Sequence, residues 1–565
     1  MNANLHVICA ATVVVLWCPP DQTMARVGSS DAPIALVGAT ILPMDRDVVL
    51  RDHVVVVRDG VIESVAPAAA IALPDGAVVI DATGGYLMPG LVDAHVHLLD
   101  VHDLDLHLEH GITSVLNMSG SPLQLAWRDE IARSARRGPT LYTTGPMFKL
   151  EAHPAIDMEL SVPDARTATM LVEMTAAQGY DFAKVWGAFS PEVYAAIADT
   201  AARLDVRLIG HIPRDVGLAG VLAAGQDGIA HVEEYFNKYF MGRIDAERLP
   251  EAVQLTADAG IPVITTVVTY EAIAASTAED MAPLLGRPAR SLLDPVRQLS
   301  WEPEFNRFRA NRVGRDGFYR DALAFKLQIA AALHQGGVPL IAGSDSGELP
   351  GLVPGADLHR ELKLLVDAGL TPYEALRTAT RNAGAFLEPD GPFGTIAPGR
   401  RADLVLLDAN PLEDIANLAA VRGVMTRGIY YNDDDFKVMA AERERRNAAT
   451  GEYVRLVLEQ GIAAATAHYE QPRQSSPKEP AFAEMPLCFL AYNLAERGDM
   501  ASAVGALQLV IREYPDVYRA YYMLGGAALA AGDHAAARAM LQRVLELSPG
   551  HPTAKLLLDQ LPPAS

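Results

Sequence analysis

Cysteine is almost missing from this chain of 565 residues, with only Cys9, Cys18 and Cys488 present. Removal of a leader carrying the first two would leave Cys488 alone, so no intrachain disulfide is available and the fold must rest on its core. Basic residues are also short: 47 Lys and Arg against 70 Asp and Glu leave a net charge of −23. Nothing in that balance offsets phosphate repulsion, which excludes nucleic acid and disfavours anionic polymers as substrates. Long apolar runs are lacking as well. The run Val7–Trp17 is too short to cross a bilayer but has the length of a signal-peptide core. Thr23, Met24 and Ala25 follow at cleavage spacing, although no Lys or Arg precedes Arg26, and the bulky Trp17 spoils a lipoprotein-type site at Cys18. Residues 1–25 are therefore expected to be a signal peptide. The mature chain is then periplasmic or secreted, with no integral membrane segment; a cytoplasmic chain is the alternative.

What is present is chemistry at the ends of strand-like runs. The stretch Tyr86-Leu-Met-Pro-Gly-Leu-Val-Asp-Ala-His95-Val-His97 ends in two histidines. In extended backbone, residues i and i+2 point to the same side, so both imidazoles converge as half of a metal site. Seven further β-type runs follow, separated by amphipathic helical stretches such as Pro191–Ala202. They lead into Leu116, Gly145, Trp186, His211, His231, Val267 and Asp345. Strict alternation of strand and helix over roughly 280 residues predicts a (β/α)8 barrel with its site at the C-terminal strand ends.

The flanks, residues 32–85 and 390–432, read as short strands expected to join into a composite β-sandwich beside the barrel of residues 86–389. Residues 433–485 read as helix followed by a linker rich in proline and polar residues. Beyond it, Gly498-Asp499 recurs as Gly532-Asp533 and Pro515 as Pro549, each 34 residues apart. Leu490 matches Leu524, Ala503 matches Ala537 and Leu507 matches Leu541 at the same offset. This period resembles tetratricopeptide repeats over residues 486–562, an all-α helical array. Such an array either binds a protein partner, mediates self-association, or simply packs on the barrel.

The phrases Pro89-Gly-Leu-Val-Asp-Ala-His95-Val-His97, Ala342-Gly-Ser-Asp345-Ser-Gly347 and Gly394-Thr-Ile-Ala-Pro-Gly-Arg-Arg-Ala-Asp403 resemble the amidohydrolase superfamily from about Ala32 to Asn432. Its imidazolonepropionase-like and prolidase-like branch is the most similar. The resemblance implies that His95, His97 and Asp345 hold one divalent metal ion and that His211 and His231 hold a second. Lys184, as a carbamate, would bridge them, and zinc suits this nitrogen and oxygen donor set. Carbamylation needs a neutral amine, which burial beside cations favours. Asp345 would be the catalytic proton carrier for a metal-activated hydroxide. The implied reaction is hydrolysis of an amide, peptide or cyclic amide bond, with a dipeptidase or N-acyl amino acid hydrolase as the expected variety. If Lys184 only pairs with a carboxylate, then His95, His97, His211 and Asp345 could hold a single metal, as in the superfamily's deaminases. A catalytically inactive scaffold carrying the repeats is the third reading.

Three loop residues are candidates for substrate contact. His153 follows the third strand and could hydrogen-bond a carbonyl oxygen; Arg214 follows the fifth and could clamp a carboxylate; Tyr235 follows the sixth. Each competes with an ordinary solvated loop role. The segment Thr277–Asp321, rich in charge and carrying Trp301, Phe305, Phe308 and Phe318, exceeds ordinary loop length. It is expected to form a helical lid, with a subunit contact as the alternative.

Overall fold

The computed structural model describes residues 32–562 other than 153–157, 311, 348, 390 and 474–483. The expected signal peptide and His153 lie outside the described residues.

Eight parallel strands follow one another in space in chain order: β1 (Leu91–Val96), β2 (Ile112–Asn117), β3 (Thr140–Lys149), β4 (Phe182–Val185), β5 (Arg207–Gly210), β6 (Gly228–Ala230), β7 (Val263–Ile264) and β8 (Leu340–Ile341). The sheet closes between β8 and β1. There the Ala94 amide donates to the Ala342 carbonyl at 3.1 Å, Asp345 to His95 at 2.7 Å and His97 to Ser346 at 2.8 Å. Both faces of the sheet are covered, which is why the strands read as continuous apolar runs rather than alternating ones.

Val92, Leu116, Phe182, Ile209, Ile264 and Ile341 fill the barrel interior, closed at the N-terminal strand ends by Phe386 and Leu387. On β4 and β5 this apolar floor sits two residues before the chemistry, with Phe182 ahead of Lys184 and Ile209 ahead of His211. The period of two therefore raises the polar groups one layer above the floor. The intervening helices are locally specified. Helix Pro191–Leu204 has the Ser190 side chain accepting from the Val193 amide, Pro191 in its first turn, and Asp205 in the left-handed region at its end. Its buried Val193, Tyr194, Ile197, Ala198 and Ala201 form one face at helical spacing.

The run Tyr86–Val96 is two strands, not one. Tyr86–Pro89 pairs antiparallel with Leu404–Leu407 in the flanking sheet, and only Leu91–Val96 enters the barrel. The switch occurs at Gly90, where a Cβ would lie 2.2 Å from the Thr113 hydroxyl. The seventh run also differs from expectation: its paired part is Val263–Ile264, and helix Val268–Thr277 begins just beyond it. Strands Ile34–Ile41, Leu50–Arg58, Val61–Pro67, Val78–Asp81, Tyr86–Pro89, Leu404–Leu407, Val421–Thr426 and Ile429–Asn432 build one hydrogen-bonded sheet from both flanks. It wraps a core that includes Leu36, Ile41, Val55, Leu404 and Met425.

The connection between β7 and β8 is pinned rather than lid-like. Trp301 is buried among Met281, Leu284, Leu293 and Val353. Arg297 donates to both carboxylate oxygens of Asp103, at 2.9 and 2.6 Å, and to Asp294. Val296 joins the core of the C-terminal helices with Tyr453, Leu487 and Leu490.

Those helices begin with Asp433–Gln460, capped by Asn432, and Ile462–Arg473, and they continue as two antiparallel pairs. The pairs are Glu484–Glu496 with Met500–Glu513, and Tyr518–Ala530 with His534–Leu547; Pro552–Gln560 follows. The repeated Gly-Asp has a physical reason. Gly498 and Gly532 take φ of +82° and +75° to end one helix, while Asp499 and Asp533 cap the next. Among the described residues, no helix is long and apolar enough to cross a membrane.

Two predictions concern stability. Arg297→Ala strands two buried carboxylates and should cost roughly 3–5 kcal/mol, read as a lower denaturation midpoint. The second concerns His107, which is fully buried with no hydrogen-bond partner for either ring nitrogen among the described residues. Burial, with His110 adding repulsion, pushes its pKa from 6.5 down to about 3. The unfolded chain therefore binds a proton that the folded chain refuses. Stability from neutral His107 is present above pH 6.5 and is lost as pH falls towards 3. Urea titrations should show His107→Leu losing less stability than the native protein between about pH 7 and pH 5.

Candidate metal centre

The C-terminal end of the barrel gathers all six ligand-type residues named from sequence. The Asp345 Oδ1 atom lies 3.1 Å from His95 Nε2 and 3.1 Å from His97 Nε2. Lys184 Nζ is 3.5 Å from His95 Nε2. The His231 ring stands 4.4 Å from that of His95 and 4.7 Å from that of His211, centre to centre. Donor atoms of His95, His231 and Asp345 all fall within 4.8 Å of one another. All six side chains are buried.

Three of the histidines are held through their other ring nitrogen. Nδ1 of His97 is 2.7 Å from the Ser119 hydroxyl, and Nδ1 of His231 is 2.7 Å from the Thr266 hydroxyl. Nδ1 of His211 is 3.1 Å from Glu234, whose second oxygen accepts from the Ile212 amide at 2.9 Å. Such contacts fix ring orientation and leave Nε2 as the available donor. The backbone is strained to the same end. His231, Thr266 and Asp345, after β6, β7 and β8, have φ of +73°, +44° and +55°, a region that residues other than glycine rarely occupy.

Electrostatics favour the ligating forms. Burial and the positive Lys184 push the His95 imidazole down to about 3, and burial with His95 holds His231 well below its ordinary value. Burial acts to raise the Asp345 carboxyl, but the surrounding imidazoles outweigh it and keep it well below the usual range. Neutral imidazoles beside an ionised carboxylate are a donor set that suits divalent cations.

Several supporting residues escape a motif reading. Asp93 accepts from the Ser344 amide at 2.8 Å and hydroxyl at 2.6 Å and from the His95 amide at 3.3 Å, tying β8 to β1. Burial pushes its carboxyl up to about 7 against those bonds. Its position two residues before His95 was a usable signal, because alternation relates it to His95 and His97. Glu234, Ser119 and Thr266 had no comparable signal, since their partners come from distant segments.

The substrate-contact candidates fare differently. Tyr235 does not face the centre: it is fully buried and its hydroxyl lies 2.8 Å from that of Thr256 on helix Leu249–Ala259. The π-helical turn Tyr235–Tyr239 carries it outward, so proximity in sequence to His231 misplaced it. Arg214 is exposed on the loop after β5. A residue not singled out, Trp186, stands 41% exposed beside the His211 ring at 5.7 Å between centres. Lys149 lies over its indole at 4.3 Å and pairs with Glu159 at 2.7 Å.

Histidine and aspartate donors converging at the C-terminal face of a barrel make a candidate metal site of the kind found in metal-dependent barrel proteins. Residues 86–430 match the amidohydrolase family and residues 490–552 the tetratricopeptide repeat; this chain belongs to the amidohydrolase family. It is 26% identical over 229 residues to an ochratoxinase of Aspergillus niger, covering 40% of this chain and 38% of that protein. The chain thus spans less than half the length of that relative. Adenine deaminase 2 of a Bradyrhizobium species is 25% identical over 393 residues, 66% of this chain and 54% of that one. Among solved structures, a Bifidobacterium longum protein provisionally assigned as a prolidase superposes with a TM-score of 0.56 and 25% identity, over 73% of this chain and 99% of the other. A bottromycin amidohydrolase shares the fold, with a TM-score of 0.59 and 24% identity over 73% and 89% of the two chains.

Gly343 tests the packing beneath the centre. A Cβ there would lie 2.7 Å from the His95 Cβ and 2.9 Å from Ile264. Gly343→Ala should cost about 1–3 kcal/mol and displace His95. Elemental analysis should then find less metal per chain than in the native protein.

Proposed function

We propose that this protein is a metal-dependent amidohydrolase that hydrolyses a C–N bond, amide, peptide or cyclic amide, in a small molecule or short peptide. Dipeptides and N-acyl amino acids are the favoured substrates. The carrying observation is Lys184, buried at the end of β4 with its amine 3.5 Å from His95 Nε2. As a carbamate this lysine would offer two oxygens to two cations. His95, His97 and Asp345 would hold one ion, and His211 and His231 the other, with zinc suited to the set. When bound, such ions supply Lewis acidity and make water acidic near neutral pH.

The protein's own contribution is orientation and proton transfer. Ser119, Thr266 and Glu234 fix the imidazole rings. Asp345, kept ionised by the surrounding histidines, accepts a proton as water adds to the scissile carbonyl. It returns that proton to the nitrogen as the C–N bond breaks, so the amine leaves neutral. Burial of the six residues limits bulk water around the reacting bond. Export to the periplasm through a cleaved leader is part of the same proposal, and amino-terminal sequencing of the protein from its native host checks it.

The likeness to adenine deaminase 2 supports a second reading, metal-assisted deamination at one ion held by His95, His97, His211 and Asp345. Lys184→Ala separates the two. Under the hydrolase reading, elemental analysis finds two metal equivalents in the native protein and a sharp fall in the variant. Hydrolysis of dipeptides and N-acyl amino acids falls with it by more than about 100-fold, beyond the usual cost of losing an outer partner. One equivalent in both proteins, with deamination retained, would overturn it.

A further inference from the structure

The C-terminal repeats make contact where partner-binding modules have no need to: on the loops that surround the metal centre. Phe489, on helix Glu484–Glu496, packs in one apolar cluster with Leu99 and Met158. Leu99 lies two residues beyond His97. Met158 immediately precedes Glu159–Ser161, the short strand paired with the C-terminal end of β3. The second repeat bears on the loop after β2. There the Tyr518 hydroxyl donates to Ser121 Oγ at 3.1 Å, with the Arg519 guanidinium 3.4 Å from the same oxygen. Ser121 caps helix Pro122–Ala132, whose Gln124 donates back to the Leu98 carbonyl at 2.8 Å. Ser119, in the same loop, holds the His97 ring. Just beyond the end of helix Glu484–Glu496, Arg497 lies over Phe305 of the β7–β8 connection at 4.1 Å.

These contacts come from separate helices and converge on loops at the C-terminal ends of β1, β2, β3 and β7, the face on which barrels of this kind carry their sites. The other side of the mouth is different. Leu99 is 1% exposed, whereas Trp186, after β4, leaves 41% of its surface open beside His211. The repeats are also an addition to the basic plan. The family match ends at residue 430, and the Bifidobacterium longum protein is matched over 99% of its length by 73% of this chain.

We propose that the C-terminal repeats are a fixed wall of the active-site mouth over β1–β3, and that Phe489 is a specificity-determining residue within it. The wall restricts the groups that a substrate can carry on that side and leaves approach along Trp186, between β4 and β5. Substrates are then compact N-acyl amino acids or dipeptides, with any bulky apolar group directed towards Trp186. The proposal rests on the reading of the metal centre as a hydrolase site.

The test compares the metal-loaded full chain with Phe489→Ala and Phe489→Trp on N-acetyl, N-butanoyl and N-octanoyl amino acids and on dipeptides. Removing the ring should raise kcat/KM for the bulkiest acyl group relative to acetyl by about tenfold, and the larger indole should lower that ratio. Metal content should be equal in all three proteins. A second readout needs no turnover: 1,10-phenanthroline should strip metal faster from Phe489→Ala than from the native chain, while the enlarged side chain slows it. Ratios and stripping rates unchanged in both variants, or shifted equally for every substrate, would reduce Phe489 to packing and overturn the wall. Absence of turnover by the native protein on all substrates would instead overturn the hydrolase reading, and the stripping rates would still decide the wall.

Discussion

Closure of the barrel between β8 and β1 is the constraint on which the centre depends. Five backbone and side-chain bonds meet at this seam: Ala94 to Ala342, Asp345 to His95, His97 to Ser346, and the paired contacts of Asp93 with Ser344. The residues that make the seam also carry the donors His95, His97 and Asp345. Barrel closure and donor placement are therefore one event, and a change that loosens either loosens both. The strain at Asp345 and His231, each in the left-handed region, is tolerated because the surrounding ladder fixes the backbone on both sides.

The seam also explains the tight packing of the phrase Ala342–Gly347. A side chain at Gly343 would collide with His95, and one at Gly347 would fall 1.9 Å from the His97 carbonyl oxygen. Glycine at these two positions is the condition for bringing the aspartate strand against the histidine strand. The neighbouring Asp93 carries a cost, since its buried carboxyl is held up near 7. What it gives in return is a triple anchor on β8 and on the His95 amide.

Outside the seam, the molecule is organised around the mouth. The β7–β8 connection is locked to the start of the first barrel helix by the Arg297–Asp103 pair, and its Val296 enters the core of the C-terminal helices. The repeats then rest on the loops after β1, β2 and β3, and their far end reaches the barrel flank, where Gln178 donates to the Gly550 carbonyl at 2.7 Å. A segment whose length and aromatics suggest a mobile cover is in fact the platform beneath another domain.

Local regularities in the sequence determined a great deal. Continuous apolar runs in a strand–helix rhythm specify eight parallel strands, and the two-residue period of extended backbone specifies the polar layer above the apolar floor, which His95, His97, Lys184, His211, His231 and Asp345 reach in chain order. The 34-residue recurrence of Gly-Asp specifies the helical pairs, because a left-handed glycine and a capping aspartate are local needs. Other features were decided only by tertiary structure. These are the strand switch at Gly90, the outward turn of Tyr235 onto Thr256, the pairing of Glu234 with His211, and the seating of Phe489 on Leu99 and Met158. Each depends on a contact between segments far apart in the chain or on a turn that breaks the local period. Periodicity carries no information about such contacts, whereas close packing around a closed barrel leaves them little freedom.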